Sequence, residues 1–330
     1  MKFLVTGCAG FIGFHATQRL LEQGNKVTGI DNLTDYYSTD LKKNRLSKLT
    51  NHAEFSFRNL DISERSQLAE IFYSGKFDVI VHLAAQPGVR VKFSESERYS
   101  KSNLLGFGNV YQCAVQFEVP TFLYASSSSV YGNSKVVPFS EKNSEPQPIN
   151  YYGGTKLANE ILVSSSIQNT NTKAIGLRFF TVYGSWGRPD MAYFKVLARN
   201  LEGTKFELFG DGLALRDFTH VDDVIESISR LIHYSQTKQI EKSLIVNIGG
   251  GKPRSMSNLL EIMNQLTGYG QPTFKTTSDP LDMEITAADT SRLFELTNFA
   301  PAIELEEGLE KFVNWAMQDE IRSRLKIWVS

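Results

Sequence analysis

The sequence predicts an α/β fold: a Rossmann-type, doubly wound parallel sheet followed by a smaller C-terminal lobe. Three observations carry that expectation. Short β-branched and apolar runs alternate with stretches of helical periodicity through the first half of the chain. The first run passes directly into a glycine loop and then into a helix. After about Phe180 the alternation loosens into Gly, Pro and aromatic segments with scattered helical stretches.

The first strand is KFLVT at 2–6, followed by FIGFHATQRLLEQG at 11–24 with apolar residues at helical spacing. KVTGI at 26–30 and FSFR at 55–58 are the next two strands, and RSQLAEIFYSG at 65–75 is the helix leading to DVIVHL at 78–83. The helix SNLLGFGNVYQCAVQF at 102–117 precedes the strand TFLYA at 121–125, and TKLANEILVSSSIQ at 155–168 precedes KAIGLRF at 173–179. Beyond these, helical patterns occupy 191–203, 221–234, 256–268 and 305–318. The expected division is a dinucleotide-binding unit at 1–178 and a substrate lobe at 179–330, with part of 216–249 packing back on the first unit. A cleft between the two is the expected ligand site.

The 330 residues suffice for a substantial core. With 35 Lys plus Arg against 36 Asp plus Glu, the net charge of −1 creates no global field for nucleic acid or an anionic membrane. Anion binding must therefore come from local sites. Cys8 and Cys113 lie far apart without metal-type spacing, and the five histidines form no ligand motif, so no metal is expected. The apolar start MKFLVTG is too short for a signal peptide, and no apolar run approaches membrane-spanning length. The expectation is a soluble cytoplasmic protein.

In GCAGFIG, Gly7, Gly10 and Gly13 are spaced to turn strand into helix and admit a pyrophosphate, with Phe11 and Ile12 in the same loop. At the end of the second strand, Asp31 and Asn32 stand where a carboxylate accepts from ribose hydroxyls and repels a 2′-phosphate, which favours NAD over NADP. A plain turn role for Asp31 is the alternative. Asp61 and Ile62, and Leu83, Ala84 and Ala85, end at the same carboxyl edge of the sheet; Asp61 suits adenine contact or turn formation.

The fifth strand runs into four serines, Ser126 to Ser129, then Val130, Tyr131 and Gly132. Downstream, YYGGTK gives Tyr152-x-x-x-Lys156, a spacing that shares one helix face. A free tyrosine has a pKa of about 10, so its use as a base near neutrality needs a cation. One at about 4 Å contributes about 4 kcal/mol at an effective dielectric near 20, roughly three pKa units. Lys156 is the candidate, with a serine hydroxyl bonding the reacting oxygen.

On these residues the chain resembles the extended short-chain dehydrogenase/reductase family over nearly its full length. The resemblance implies Ser127 as catalytic serine, Tyr152 as base and Lys156 as its partner, the last two also touching NAD. In related dehydratases an Asp-Glu pair matches Ser128 and Ser129, and in UDP-glucuronate decarboxylases a Glu matches the second. Serine is a poor acid, so the all-serine form points away from both reactions and toward oxidation and re-reduction at one carbon.

GIDNLTDYYSTDLKKNRL, HLAAQPGVR, LRFFTVYGSWGRPDMA and RDFTHVDDV narrow the resemblance to NAD-dependent sugar-nucleotide epimerases of the UDP-glucuronate 4-epimerase type. The resemblance implies Phe179 and Val182 beside nicotinamide and Thr181, Ser128 and Ser129 facing the sugar. It further implies Arg188 near the acidic substrate, Phe209 beside uracil and Arg216 on the diphosphate; Arg90 is a further candidate for the substrate anions. A homodimer through helices near 103–117 and 153–168 is also implied. Two departures stand out. DPLD brings Asp279 and Leu281 to a stretch of expected uridine or phosphate contacts, and Gly153 and Gly154 replace the more usual alanines. The rival expectations are 4-epimerisation of a neutral UDP-hexose or N-acetylhexosamine, and a non-catalytic NAD-binding regulator.

Overall fold

A computed structural model describes residues 1–238, 241–270, 273–277 and 283–329. The chain proceeds through β1 (Lys2–Thr6), α1 (Phe11–Glu22), β2 (Lys26–Asp31), α2 (Thr39–Thr50), β3 (Phe55–Asn59), α3 (Arg65–Gly75) and β4 (Val79–His82). A composite helix follows, with α4 (Ser96–Tyr99), a π-helical segment Ser100–Gly106 and α5 (Phe107–Gln116), and then β5 (Thr121–Ser127), α6 (Tyr151–Ser166) and β6 (Lys173–Phe179). The remainder holds β7 (Thr181–Tyr183), α7 (Ala192–Glu202), β8 (Phe206–Phe209), β9 (Leu215–His220), α8 (Val221–Thr237) and β10 (Ser243–Ile248). It ends with β11 (Pro253–Ser255), α9 (Met256–Thr267), β12 (Thr273–Thr276), α10 (Ser291–Thr297), α11 (Leu305–Ala316), α12 (Asp319–Arg322) and α13 (Leu325–Val329).

Seven strands form one parallel sheet in the order β10-β6-β5-β4-β1-β2-β3. Apart from the half-exposed edge strand β3, the strands are mostly buried apolar runs because both faces are covered. Phe3, Val5, Val79, Val81, Leu123 and Ile175 pack into one cluster with α1 and α8, whereas Leu4, Ile80, Phe122, Tyr124 and Ala174 pack into a second with α3 and α5. The order reverses between β1 and β4, and the crevice at that point is where a doubly wound sheet binds ligands.

Beyond β6 the chain makes a three-stranded sheet, β11-β9-β7, and a two-stranded pair, β12-β8. The segment 243–248 returns to the main sheet as its edge strand, paired with β6. An apolar block of Trp186, Trp315 and Trp328 packs with Phe194 and Phe312. Trp328 donates its indole N–H to Asp40 on α2 at 2.9 Å, which fastens α13 to the first half of the chain.

Candidate active site

The glycine loop closes on itself and on the end of β4. Gly7 has φ +74°, and a Cβ there would lie 2.8 Å from the Ala84 nitrogen. A Cβ on Gly13 would overlap the Gly7 carbonyl, so only glycine lets α1 approach this closely. The first turn of α1 has no side-chain cap and no acidic residue, which leaves its N–H groups directed at an incoming anion.

Around this loop lies a cavity of about 490 Å3. Gly7, Gly10, Phe11, Ile12, Gly13, Asp31, Asn32, Asp61, Ile62, Leu83, Ala84, Ala85, Phe179 and Val182 all line it, and so do Ser127, Tyr152, Lys156 and Arg188. Asp31 has the turn role: its carboxylate accepts from Ala9 N–H at 3.0 Å and Leu33 N–H at 2.8 Å, and since a carboxylate offers about four acceptor sites, capacity for further donors remains. Asp61 accepts from Ser63 N–H at 2.9 Å and from Asn32 at 3.2 Å, a turn role with one face on the cavity.

The reactive groups come from two adjoining elements. Ser127 ends β5, and its hydroxyl caps the turn that follows, accepting from Ser129 N–H at 3.1 Å while donating to the Ser129 hydroxyl at 3.1 Å. Tyr152 and Lys156 lie in the first two turns of α6, whose start is capped by Asn150. A Cβ on Gly153 would lie 2.6 Å from the Ser129 carbonyl, so glycine there brings α6 against the serine turn; Gly154 faces open space. The Lys156 ammonium donates to the Ala125 carbonyl at 2.9 Å.

Burial pushes the Tyr152 phenol above its ordinary value, while the Arg188 guanidinium and a hydrogen bond with Ser127 work in the opposite direction. Burial lowers the Lys156 ammonium to about 8, against an opposing pull from Glu160. Arg188, which the resemblance assigned to the substrate, is thus also a cation acting on the phenol. It is held in place by Asp190, to which it donates at 3.0 and 2.6 Å.

Among the described residues, the expected substrate residues Ser128, Ser129, Thr181, Arg90 and Arg216 lie outside this cavity lining. Ser128 is partly exposed and Ser129 buried in the turn after β5; Thr181 opens β7. Arg216 sits on β9 opposite Arg254 of β11, and Arg90 is exposed in the segment after β4. Phe209 ends β8, and Asp279 and Leu281 fall outside the described residues. Among the described residues no cluster of His, Cys, Asp and Glu could hold a metal ion.

Sequence reasoning missed Tyr36, Lys42, Gln86, Phe180 and Met191, which also line the cavity. It also missed Arg45, fully buried on α2, whose guanidinium donates to the carbonyls of Ala9 at 3.0 Å, Trp186 at 2.6 Å and Gly187 at 2.9 Å. One cation thereby ties the glycine loop to the segment before Arg188. A lone arginine in a run of Lys and Asn carries no sequence signal for that task.

The comparisons with known proteins follow the same lines. Residues 3–249 match the family described as NAD dependent epimerase/dehydratase. A UDP-glucuronate 4-epimerase of Thermodesulfobacterium geofontis is 35% identical over 327 residues, covering 98% of this chain and 99% of that one. UDP-glucuronate 4-epimerase 2 of Arabidopsis thaliana is 35% identical over 328 residues, 96% of this chain and 75% of the other. The structure of a UDP-glucuronic acid 4-epimerase from Bacillus cereus, in complex with UDP-glucuronic acid and NAD, superposes with a TM-score of 0.89 at 33% identity, covering 96% of this chain and 98% of that one.

Proposed function

The chain belongs to the NAD-dependent epimerase/dehydratase family, and from that premise we propose that it is an isomerase interconverting UDP-glucuronate and UDP-galacturonate at C4 with NAD as resident cofactor. What carries this reading is the meeting of a phenol, an ammonium and a serine hydroxyl in one cavity with a glycine loop built for a dinucleotide. The cavity suits that cofactor: an uncapped helix start would receive a pyrophosphate, glycines leave room for it, and Asp31 in the cavity lining would accept from ribose hydroxyls.

NAD, held by the glycine loop and Asp31, would supply a hydride acceptor for C4 and the hydride for the opposite face of the sugar, so the cycle would have no net redox change. The protein's part is proton handling and grip. Tyr152, as phenolate, takes the C4 hydroxyl proton through or beside Ser127 as the 4-keto sugar forms; the same path in reverse restores the hydroxyl. The Arg188 guanidinium opposes the cost of a buried phenolate, and Lys156, with its ammonium 5.8 Å from the Tyr152 ring centre, is assigned the same task. Ser128, Ser129 and Thr181 are assigned to the sugar, Phe209 to the base, Arg216 to the diphosphate and Arg90 to one of the substrate anions, so that the nucleotide stays fixed while the sugar turns over. Hydroxyls at 128 and 129 supply no acid for water loss or for reprotonating a decarboxylated carbon.

The reading divides the chain into a dinucleotide-binding unit at 1–178, with part of 216–249 packing back on it, and a substrate lobe at 179–330, with some site residues of each kind coming from the other unit. We further infer a cytoplasmic homodimer. Both cysteines are unpaired, which suits a reducing compartment, and Leu104, Leu105, Ile161 and Leu162 leave an exposed apolar face on adjoining helices.

The experiment is to mix purified protein with UDP-glucuronate, without added NAD, and to look for UDP-galacturonate. UDP-glucose and UDP-N-acetylglucosamine run alongside. Conversion of the neutral sugars alone overturns the substrate assignment, and release of carbon dioxide overturns the argument from the serines.

A further inference from the structure

Beside the cavity, the strand-end serines meet a buried ion pair to which the epimerase chemistry gives no task. β5 and β6 pair with Ser126 opposite Arg178, so the two side chains share a sheet face, and Glu160 of α6 receives both. Arg178 donates to Glu160 at 2.9 and 2.7 Å, and the Ser126 hydroxyl donates to the same carboxylate. Glu160 and Arg178 are 6% and 4% exposed. A buried pair of this kind is exchanged for apolar side chains with little loss of stability, so packing alone does not call for it.

Its position suggests a task. Glu160 lies one turn beyond Lys156 on the same helix face. The Lys156 ammonium bonds the carbonyl of Ala125, the residue adjoining Ser126, and Ser126 itself lines the cavity. Carboxylate and ammonium are therefore fixed to successive residues of one strand end, while the guanidinium arrives from the neighbouring strand.

Resting on the epimerase reading, we propose that Glu160 is a positioning residue that keeps the Lys156 ammonium protonated and seated beneath Tyr152. The surrounding groups leave this role to Glu160. His82 of β4, Arg188 and Arg178 are neutral or cationic neighbours that do not favour a second ammonium. Tyr124, Tyr131, Tyr152 and Glu141 are held toward their protonated forms by burial. Glu160 is the anion that acts on Lys156.

The test is the pH profile of epimerisation for Glu160→Gln, Glu160→Asp and the double variant Glu160→Gln with Arg178→Met, the last leaving no unpaired buried cation if the single variant fails to fold. The alkaline limb is expected to fall by roughly one pH unit in Glu160→Gln, to stay below wild type in the double variant, and to return in Glu160→Asp. A uniform loss of rate with the limb unmoved overturns the proposal. Because inactivity of the wild-type protein toward UDP-glucuronate would instead overturn the function assigned above, Lys156 is also titrated by NMR in isotope-labelled protein, its signal identified with Lys156→Met. An unchanged titration in the Gln variants overturns the proposal whatever the substrate.

Discussion

The ammonium nitrogen of Lys156 lies 5.8 Å from the centre of the Tyr152 ring, one helical turn along α6. The two side chains share one face of the helix beside the cavity, and both are pushed toward neutrality by burial. Catalysis by this pair has a defined window. Tyr152→Phe is expected to lower kcat by about 10²–10⁴-fold while leaving the dinucleotide bound, as read by absorbance of the purified protein. Retained turnover would remove the phenol from the mechanism.

The alkaline side of that window is set by Lys156. Its charge is present below about 8 and lost as pH rises through that value, so kcat/KM of the free enzyme is expected to fall above about pH 8. A flat profile through that region, measured with UDP-glucuronate, would contradict the assignment.

Two glycines side by side are expected to behave in opposite ways. Gly154→Ala meets nothing within 4 Å and should stabilise the protein by about 0.5–1 kcal/mol, with activity kept. Gly153→Ala drives a methyl into the Ser129 carbonyl and should lower both stability and rate. Urea midpoints and initial rates of the two variants decide it.

Acid should weaken the fold through histidines. Burial lowers His15 to about 4 and His82 to about 3 from the ordinary 6.5, so the unfolded chain takes up protons that the folded chain refuses. Their contribution is complete above about 6.5 and is lost as pH falls toward those lower values. Urea midpoints at about pH 7 and about pH 4.5 should differ by more in the wild type than in a double variant with Gln at both positions. Equal differences would assign the acid sensitivity elsewhere.

The apolar face on the helices offers a separate check. Leu105→Glu with Ile161→Glu is expected to give particles of one chain's mass by light scattering, where the wild type gives two. A wild type of single-chain mass would refute the dimer.

Much of this arrangement was legible in the residues. The strands of the main sheet up to Phe179, the edge strand β3 apart, are apolar runs because both faces are covered, and the glycine spacing has one mechanical meaning after a first strand. α2 escaped notice because two of its four buried positions are Lys42 and Arg45, which break the apolar stripe. The edge strand Ser243–Ile248 was foreseen only as a segment packing back, since its partner Lys173–Phe179 lies far earlier in the chain. The substrate side stayed least visible: Thr181 and Arg216 lie in paired strands outside the cavity lining, and spacing along a sequence cannot report which loops converge.

Arg45 has a last implication. By joining three carbonyls from two distant segments it removes a hinge between the cofactor loop and the stretch leading to Arg188. A catalyst that regenerates its oxidant in place gains nothing from letting it exchange with the medium. Its turnover should therefore be indifferent to the oxidised-to-reduced nicotinamide ratio of the cell around it.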